Sequence, residues 1–302
     1  MTTWERLVAS GRARRHVELA PMTTYKLGGP ADLYVVVDTI DTLQEVGEAL
    51  RAEPMPVLVL GRGSNLLIAD EGFRGVVVRL GEGFSRVSID SEGIVEAGGA
   101  VSLPRLARGI AAEGRGGLEW GVGIPGSVGG AVRQNAGCFG REVVDVLVEA
   151  RVVSLADGTD RWAAADALDL SYRHSAIAST DVVVSARFHT SGVDPAEAAA
   201  EMRRITRWRK EHQPGGTLNA GSVFKNPPGD AAGAIIDRLG LKGFALGPVR
   251  VSPRHANFIE AEAEATAEAV RRLIEAVQRR VEEETGIRLE PEIQFVGFED
   301  GD

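Results

Sequence analysis

Three short segments of the 302-residue chain combine side chains that can move protons or hold anions. Asn219-Ala220-Gly221-Ser222-Val223-Phe224-Lys225-Asn226-Pro227 sets a hydroxyl after a glycine, with an amine and an amide close behind. Ser171-Tyr172-Arg173-His174-Ser175 is a polar cluster between less polar segments, and Arg173 offers a planar fork suited to a carboxylate. Leu289-Glu290-Pro291-Glu292-Ile293 puts carboxylates into an expected strand. An acid there is costly if buried unpaired, so the plainer reading is that it faces water. The plainer reading of the first segment is an ordinary turn before a helix. Arg203, Arg207 and Lys210 share one helical face, usually a solvated one, though it could also meet nucleotide phosphates.

Two glycine-rich stretches must position these groups or hold a cofactor. Gly61-Arg62-Gly63-Ser64-Asn65 follows the apolar run Pro56–Gly61, and Ser64 and Asn65 add side-chain donors. Gly116 to Gly140 carries nine glycines in 25 residues and shows almost no helix or strand pattern. Glycine lets main-chain N–H groups turn toward a bound group and approach it closely. Few cations and many N–H donors suit a dinucleotide pyrophosphate. Gly121-Val122-Gly123-Ile124-Pro125-Gly126 matches G-x-G-x-x-G, yet it follows no apolar strand, contains a proline and runs into a poor helix start. A Rossmann-type dehydrogenase is therefore the second choice, and a non-catalytic nucleotide-binding module the third. Chemistry alone stops at a nucleotide-like cofactor.

A chain of this length suggests about two domains. With 44% apolar and 25% charged residues it has the composition of a soluble globular protein. A net charge of −9 argues against a general nucleic-acid or anionic-membrane surface. The single cysteine, Cys138, excludes an intramolecular disulfide and reads first as a small packing residue. His16, His174, His189, His212 and His255 are scattered, and no pair has metal-ligand spacing. The N-terminus has no apolar signal core, Arg14-Arg15 is a poor twin-arginine signal, and no run is long enough for a membrane helix. The expectation is a cytoplasmic protein.

The patterns predict a short helix and a linker over 1–20, then strands at 32–38, 56–61 and 75–80 and a hairpin over 84–98. Further strands are expected at 146–158, 182–189, 256–261 and 289–296. Helices are expected at 42–52 behind an Asp41 cap, and at 102–114, 195–210, 230–240 and 266–285. A polar turn from Thr190 to Pro195 marks a domain boundary. Strands and helices without strict alternation point to α+β rather than a doubly wound sheet.

Together the motifs resemble the UDP-N-acetylenolpyruvoylglucosamine reductases, flavoenzymes that complete UDP-N-acetylmuramate. The carrying segments are TTYKLGGPAD at 23–32, GRGSNLLIAD at 61–70, GLEWGVGIPGSVGGAVRQNAG at 117–137 and YRHS at 172–175. NAGSVFKNP at 219–227, the run from Ala232 to Ile259, and LEPEI at 289–293 complete the set in the family's order.

The resemblance implies an FAD-binding fold of the vanillyl-alcohol-oxidase type over 1–192, in two subdomains of about 1–80 and 81–192. A C-terminal α+β substrate-binding domain would span 193–302. Gly61, Arg62, Gly63, Ser64 and Asn65 would hold FAD together with a second loop. That loop contributes Gly123, Ile124, Pro125, Gly126, Ser127, Gly129, Gly130, Asn135, Ala136 and Gly137. Related oxidases attach FAD through a histidine near the first loop; none lies between His16 and His174, so noncovalent FAD is expected. NADPH would supply the hydride, and the enolpyruvyl UDP-sugar would receive it. Ser222 would donate the proton, and Arg173 and Glu292 would steady the developing enol. Tyr172, Lys225, Asn226 and His255 would contact substrate, with Lys225 a candidate to polarise Ser222. No metal is implied; a monomer is expected, serving peptidoglycan synthesis and hence cell shape and division. Two departures stand out. Arg133-Gln134 follow GGAV, where many members carry a large aromatic or Met, and there is no room after Arg173 for the inserted tyrosine loop of one subfamily.

Overall fold

A computed structural model describes residues 2–298, so residue 1 and residues 299–302, the ends of the expected division, lie outside the described residues. The chain packs as two compact units. Met1–His16, Asp32–Arg62 and Gly75–Trp208 make one, and Val17–Ala31, Gly63–Arg74 and Arg209–Asp302 the other. By packing, 17–31 and 63–74 thus go with the C-terminal part, a return that local composition does not signal.

The first unit holds two sheets. In one, the strands run in the order Ala13–Glu18, Pro30–Val37, Phe73–Leu80, Val57–Val59. The last two are parallel, with Val57 opposite Val76 and Val59 opposite Val78. Helix Ile40–Ala52 lays Leu43, Val46, Ala49 and Leu50 on this sheet, against Val35, Val37, Val76 and Val78. Its cap is Thr39, whose hydroxyl accepts the Thr42 N–H at 3.1 Å. Asp41, the expected cap, sits inside the first turn, where its charge favours the helix dipole.

The other sheet is five-stranded and antiparallel, in the order Asp160–Ala164, Leu147–Ser154, Asp181–His189, Ile94–Gly98, Val87–Ile89. The run expected over 146–158 as a long strand ending in a turn is strand Leu147–Ser154 and the turn after it, which leads into the hairpin partner Asp160–Ala164. Helices Leu103–Ala112, Val128–Arg133 and Pro195–His212 bury Leu106, Ile110, Val132, Met202 and Ile205 in the core beside this sheet. Val128–Arg133 lies within the glycine-rich stretch, where no helix was expected. Ser127 starts it by accepting the Gly130 N–H at 3.2 Å. Arg203, Arg207 and Lys210 are exposed on the last of these helices.

The second unit is built on helix Ala267–Thr285, capped by Thr266 and ended by Gly286 at φ 72°. Its apolar side, including Val270, Leu273, Ile274, Val277 and Val281, shares a core with helix Ala232–Arg238 and strands Val249–Val251 and Ile259–Ala261. Tyr25 is fully buried here and donates to the Ile259 carbonyl at 3.1 Å; burial pushes its phenol pKa up. Strand Gln294–Val296 pairs in parallel with Leu66–Ile68. The strand expected from 289 starts only at Gln294. Pro291 has no N–H to give a ladder and makes an isolated bridge with Phe224.

Among the described residues, no helix is long and apolar enough to cross a membrane. Nor does any group of three or more His, Cys, Asp and Glu side chains among them suit a metal ion.

Candidate functional site

In the first unit the two glycine-rich stretches come together. Gly61 and Arg62 line a narrow cavity of about 90 Å³ with Arg79, Ser127, Gly129 and Arg133. A Cβ on Gly61 would stand 2.7 Å from the Ser127 hydroxyl, and one on Gly129 would stand 2.9 Å from the Val183 carbonyl. Glycine therefore keeps the two walls at this separation. Arg133 donates to the carbonyls of Ile177, at 3.0 Å, and Ala178, at 2.5 Å. Burial lowers its pKa, with Asp181 acting in the opposite direction. This departure from the family pattern is thus a wall of the cavity rather than a surface change.

Among the described residues, the main-chain N–H groups of Gly61, Arg62, Gly63 and Ser64 donate to no protein acceptor. Gly63 adopts φ 61°, and a side chain there would meet the Met22 carbonyl at 2.3 Å. A run of uncommitted donors beside a narrow cavity suits the oxygens of a pyrophosphate. The N–H groups that open helix Val128–Arg133 are different. Val128 donates to Val101, Gly129 to Gly99, Gly130 to the Ser127 hydroxyl and Ala131 to the Ser127 carbonyl. The residues just before it form a 3-10 turn, Glu119–Gly123, with Ile124 donating to Gly121 and Gly126 accepting from Leu103. Pro125 lies between them. The G-x-G-x-x-G match therefore has no strand–turn–helix context.

Two amides expected beside the cofactor make bonds to protein. Asn65 donates to the Glu292 carbonyl at 2.9 Å, so the side-chain donor read from its loop is used to fix the 290–292 segment. Asn135 is fully buried at φ 41°. Its amide nitrogen donates to the Glu142 carboxylate and to the Ser171 carbonyl, each at 2.9 Å, and its oxygen accepts from Val144. Ala136 bonds through its main chain to Ala131 and Val143.

Arg173 belongs to the first unit. It sits at φ 55°, donates to the Gly137 carbonyl at 3.0 Å and pairs with Glu142 at 3.4 Å. Its guanidinium lies 4.9 Å from the centre of the Tyr172 ring. Cys138, in the same neighbourhood, is partly buried and donates to the Trp120 carbonyl.

Ser222, Lys225, Asn226, His255 and Glu292 all belong to the second unit. Here the fold joins what the sequence separates. Segment 222–225 runs beside 290–292: Glu292 donates its N–H to the Val223 carbonyl at 2.7 Å, and Lys225 donates its own to Glu290 at 2.9 Å. Asn257, which sequence reasoning missed, clamps the same segment. Its carbonyl accepts from Val223, while its side chain accepts from Phe224 at 2.9 Å and donates back to Phe224 at 2.8 Å. Only a lone asparagine beside an apolar strand could have signalled this role.

A cleft of about 320 Å³ opens there, lined by Ser222, Asn226, Asp237, Lys242, Arg254 and His255 among others. Asn226 also accepts the Ala232 N–H, at the start of helix Ala232–Arg238. Burial, then the nearby Lys242, lowers the His255 pKa. Its Nδ1 accepts from the Asn257 N–H at 3.3 Å, and its ring meets Phe258 edge-on. Lys225 places its ammonium 2.5 Å from the Glu290 carboxylate, so its charge is partly compensated there. A hydroxyl, an amide and two cations, of which Lys242 is paired with the Asp237 carboxylate at 2.7 Å, suit an oxygen-rich ligand.

The comparisons with known proteins agree across the chain. An FAD-binding domain matches residues 31–163, and the C-terminal domain of UDP-N-acetylenolpyruvoylglucosamine reductase matches 213–296. The reductase of Acidiphilium cryptum is 42% identical over 288 residues, covering 95% of this chain and 92% of the relative. That of Bacillus subtilis is 36% identical over 289 residues, covering 95% of each. The crystal structure of the reductase from Thermus caldophilus matches with a TM-score of 0.81 at 37% identity, covering 94% of this chain and 99% of that one. Likeness of this extent excludes the Rossmann alternative, and the chain belongs to the UDP-N-acetylenolpyruvoylglucosamine reductase family.

Proposed function

We propose that this chain reduces the enolpyruvyl group of UDP-N-acetylglucosamine-enolpyruvate to give UDP-N-acetylmuramate, with FAD as cofactor and NADPH as reductant. FAD, when bound, would supply the chemistry of hydride transfer between NADPH and the vinyl carbon of the substrate. The uncommitted N–H groups of Gly61 to Ser64 and the cavity walls at Ser127, Gly129 and Gly130 would hold it, without a covalent link.

The chain's own side chains handle charge and protons. Hydride addition builds enolate character beside the substrate carboxylate. Arg173 presents its fork to that carboxylate and lowers the cost of the second negative charge. Glu292 orients the enol, and Ser222 delivers a proton to the adjacent carbon. Tyr172, Lys225, Asn226 and His255 contact the nucleotide. The observation that carries this reading is the pairing of segment 222–225 with 290–292, which ties the proposed donor to the proposed carboxylate through the 2.7 Å bond from Glu292 to Val223. The domain division at 193 accompanies it, an FAD-binding domain before and a substrate-binding domain after, with Tyr172 and Arg173 the substrate residues that lie before it. So do a cytoplasmic monomer, no nucleic-acid or membrane partner, and a part in peptidoglycan synthesis, cell shape and division.

An anaerobic visible spectrum tests the reading. The yellow protein should bleach with NADPH and recover when the enolpyruvyl nucleotide is added. Ser222→Ala should still bleach but recover at least a hundredfold more slowly. Recovery only with oxygen would move the activity to an oxidase, and normal recovery in Ser222→Ala would remove the proton-donor role.

A further inference from the structure

The Glu142 carboxylate lies where three separately positioned donors meet. It pairs with Arg173 through one oxygen at 3.4 Å and accepts from the buried Asn135 amide through the other at 2.9 Å. It also accepts the Asp145 N–H in a reciprocal cap, with Asp145 accepting the Glu142 N–H at 2.9 Å. The backbone around it is equally constrained. Glu142 stands opposite Gly137 in the small hairpin of Gly137–Cys138 and Arg141–Glu142, and the Gly137 carbonyl accepts the second bond from Arg173. Ser171 and His174 close a tight loop on each other, at 3.2 and 3.0 Å, and Asn135 holds that loop by the Ser171 carbonyl.

Arg173 sits in this loop at φ 55°, a conformation that costs energy for a residue with a Cβ. Such a conformation persists where surrounding contacts over-determine it, and here they converge on one carboxylate. Both partners are largely shielded, with side-chain exposures of 17% for Arg173 and 29% for Glu142, so the pair is screened less than a surface bridge. We infer that Glu142, braced by Asn135, is a positioning residue that aims the Arg173 guanidinium at the substrate carboxylate.

This inference rests on the proposed role of Arg173, and the test separates the two. Glu142→Gln keeps an oxygen for Asn135 or Asp145 but turns a donor toward Arg173. Reoxidation of the reduced enzyme by the enolpyruvyl nucleotide should slow at least tenfold, while bleaching by NADPH stays within twofold. Calorimetry on the oxidised enzyme supplies a readout that a general loss of stability would not move. Affinity for UDP-N-acetylmuramate should fall at least fivefold, with affinity for UDP-N-acetylglucosamine, which lacks the carboxylate, unchanged. Arg173→Lys with Glu142→Gln should be no worse than Arg173→Lys alone, because the two act as one unit.

Glu142→Asp, which keeps the charge but withdraws it by a methylene, should show the same pattern more weakly. A slow Arg173→Lys beside a normal Glu142→Gln overturns the positioning role alone. A normal Arg173→Lys overturns both this inference and the role of Arg173. Equal slowing of both half-reactions in both Glu142 variants makes the carboxylate merely structural and also overturns the inference.

Discussion

His255 shows how a side chain can carry both a site and a pH response. Its ring is partly buried in the cleft that holds Ser222 and Asn226, and burial and Lys242 both disfavour its charged form. The folded pKa therefore lies below that of the unfolded chain. Above about pH 6.5 both states hold a neutral ring and His255 adds no pH dependence. As pH falls below that value the unfolded chain takes up the proton first, and stability drops until the folded pKa is passed. The thermal midpoint should accordingly fall between pH 7 and pH 5, and His255→Gln should flatten that slope. An identical slope in the variant would show that other groups carry the response. The motif containing His255 was visible in the sequence, but its neighbours were not. Asn257 clamps a segment 33 residues away, and Glu142 reaches Arg173 across 31 residues, so no local pattern announces either contact.

At the scale of elements, the glycine-rich stretch separates two uses of the same residue. Gly129 lies in helix Val128–Arg133 and donates to Gly99 at 3.0 Å, with the Val183 carbonyl 2.9 Å from where a Cβ would stand. Gly109 lies in helix Leu103–Ala112, and a Cβ there would meet nothing within 4 Å. The first glycine sets a close approach, and the second only weakens a helix. Gly129→Ala should destabilise by about 1–3 kcal/mol through a forced backbone shift. Gly109→Ala should stabilise by about 0.5–1 kcal/mol. Denaturant midpoints measure both, and equal effects of the same sign would contradict this distinction. The helices and most long strands were legible because apolar spacing reports burial directly. The elements that escaped had little such signal. Ala13–Glu18 is a largely exposed edge strand full of charge, and Val128–Arg133 is marked only by the Ser127 cap.

At the scale of the molecule, 37 glycines and a net charge of −9 look ill suited to an enzyme of anionic nucleotides. The resolution is that recognition is local and largely main-chain. The main chain of Gly61 to Ser64 exposes N–H donors that carry no charge, and a few cations stand beside the sites, Arg62, Arg79 and Arg133 at the cavity and Lys242 and Arg254 at the cleft. N–H donors with no protein partner are costly to shield from water unless a ligand accepts from them. FAD should therefore bind the folded chain and not the unfolded one, adding RT ln(1 + [L]/Kd), about 2.7 kcal/mol at a hundred times Kd. At roughly 2–4 °C per kcal/mol for a chain of this order of size, the thermal midpoint should rise by several degrees with added FAD and continue to rise with its logarithm. ADP, which keeps a pyrophosphate but lacks the flavin, should give a smaller rise, because it reaches the same donors with fewer contacts. Scanning calorimetry across an FAD series reads this directly. A midpoint indifferent to FAD would mean that the Gly61 to Ser64 donors are satisfied by water alone, and the cofactor assignment of that loop would fall with it.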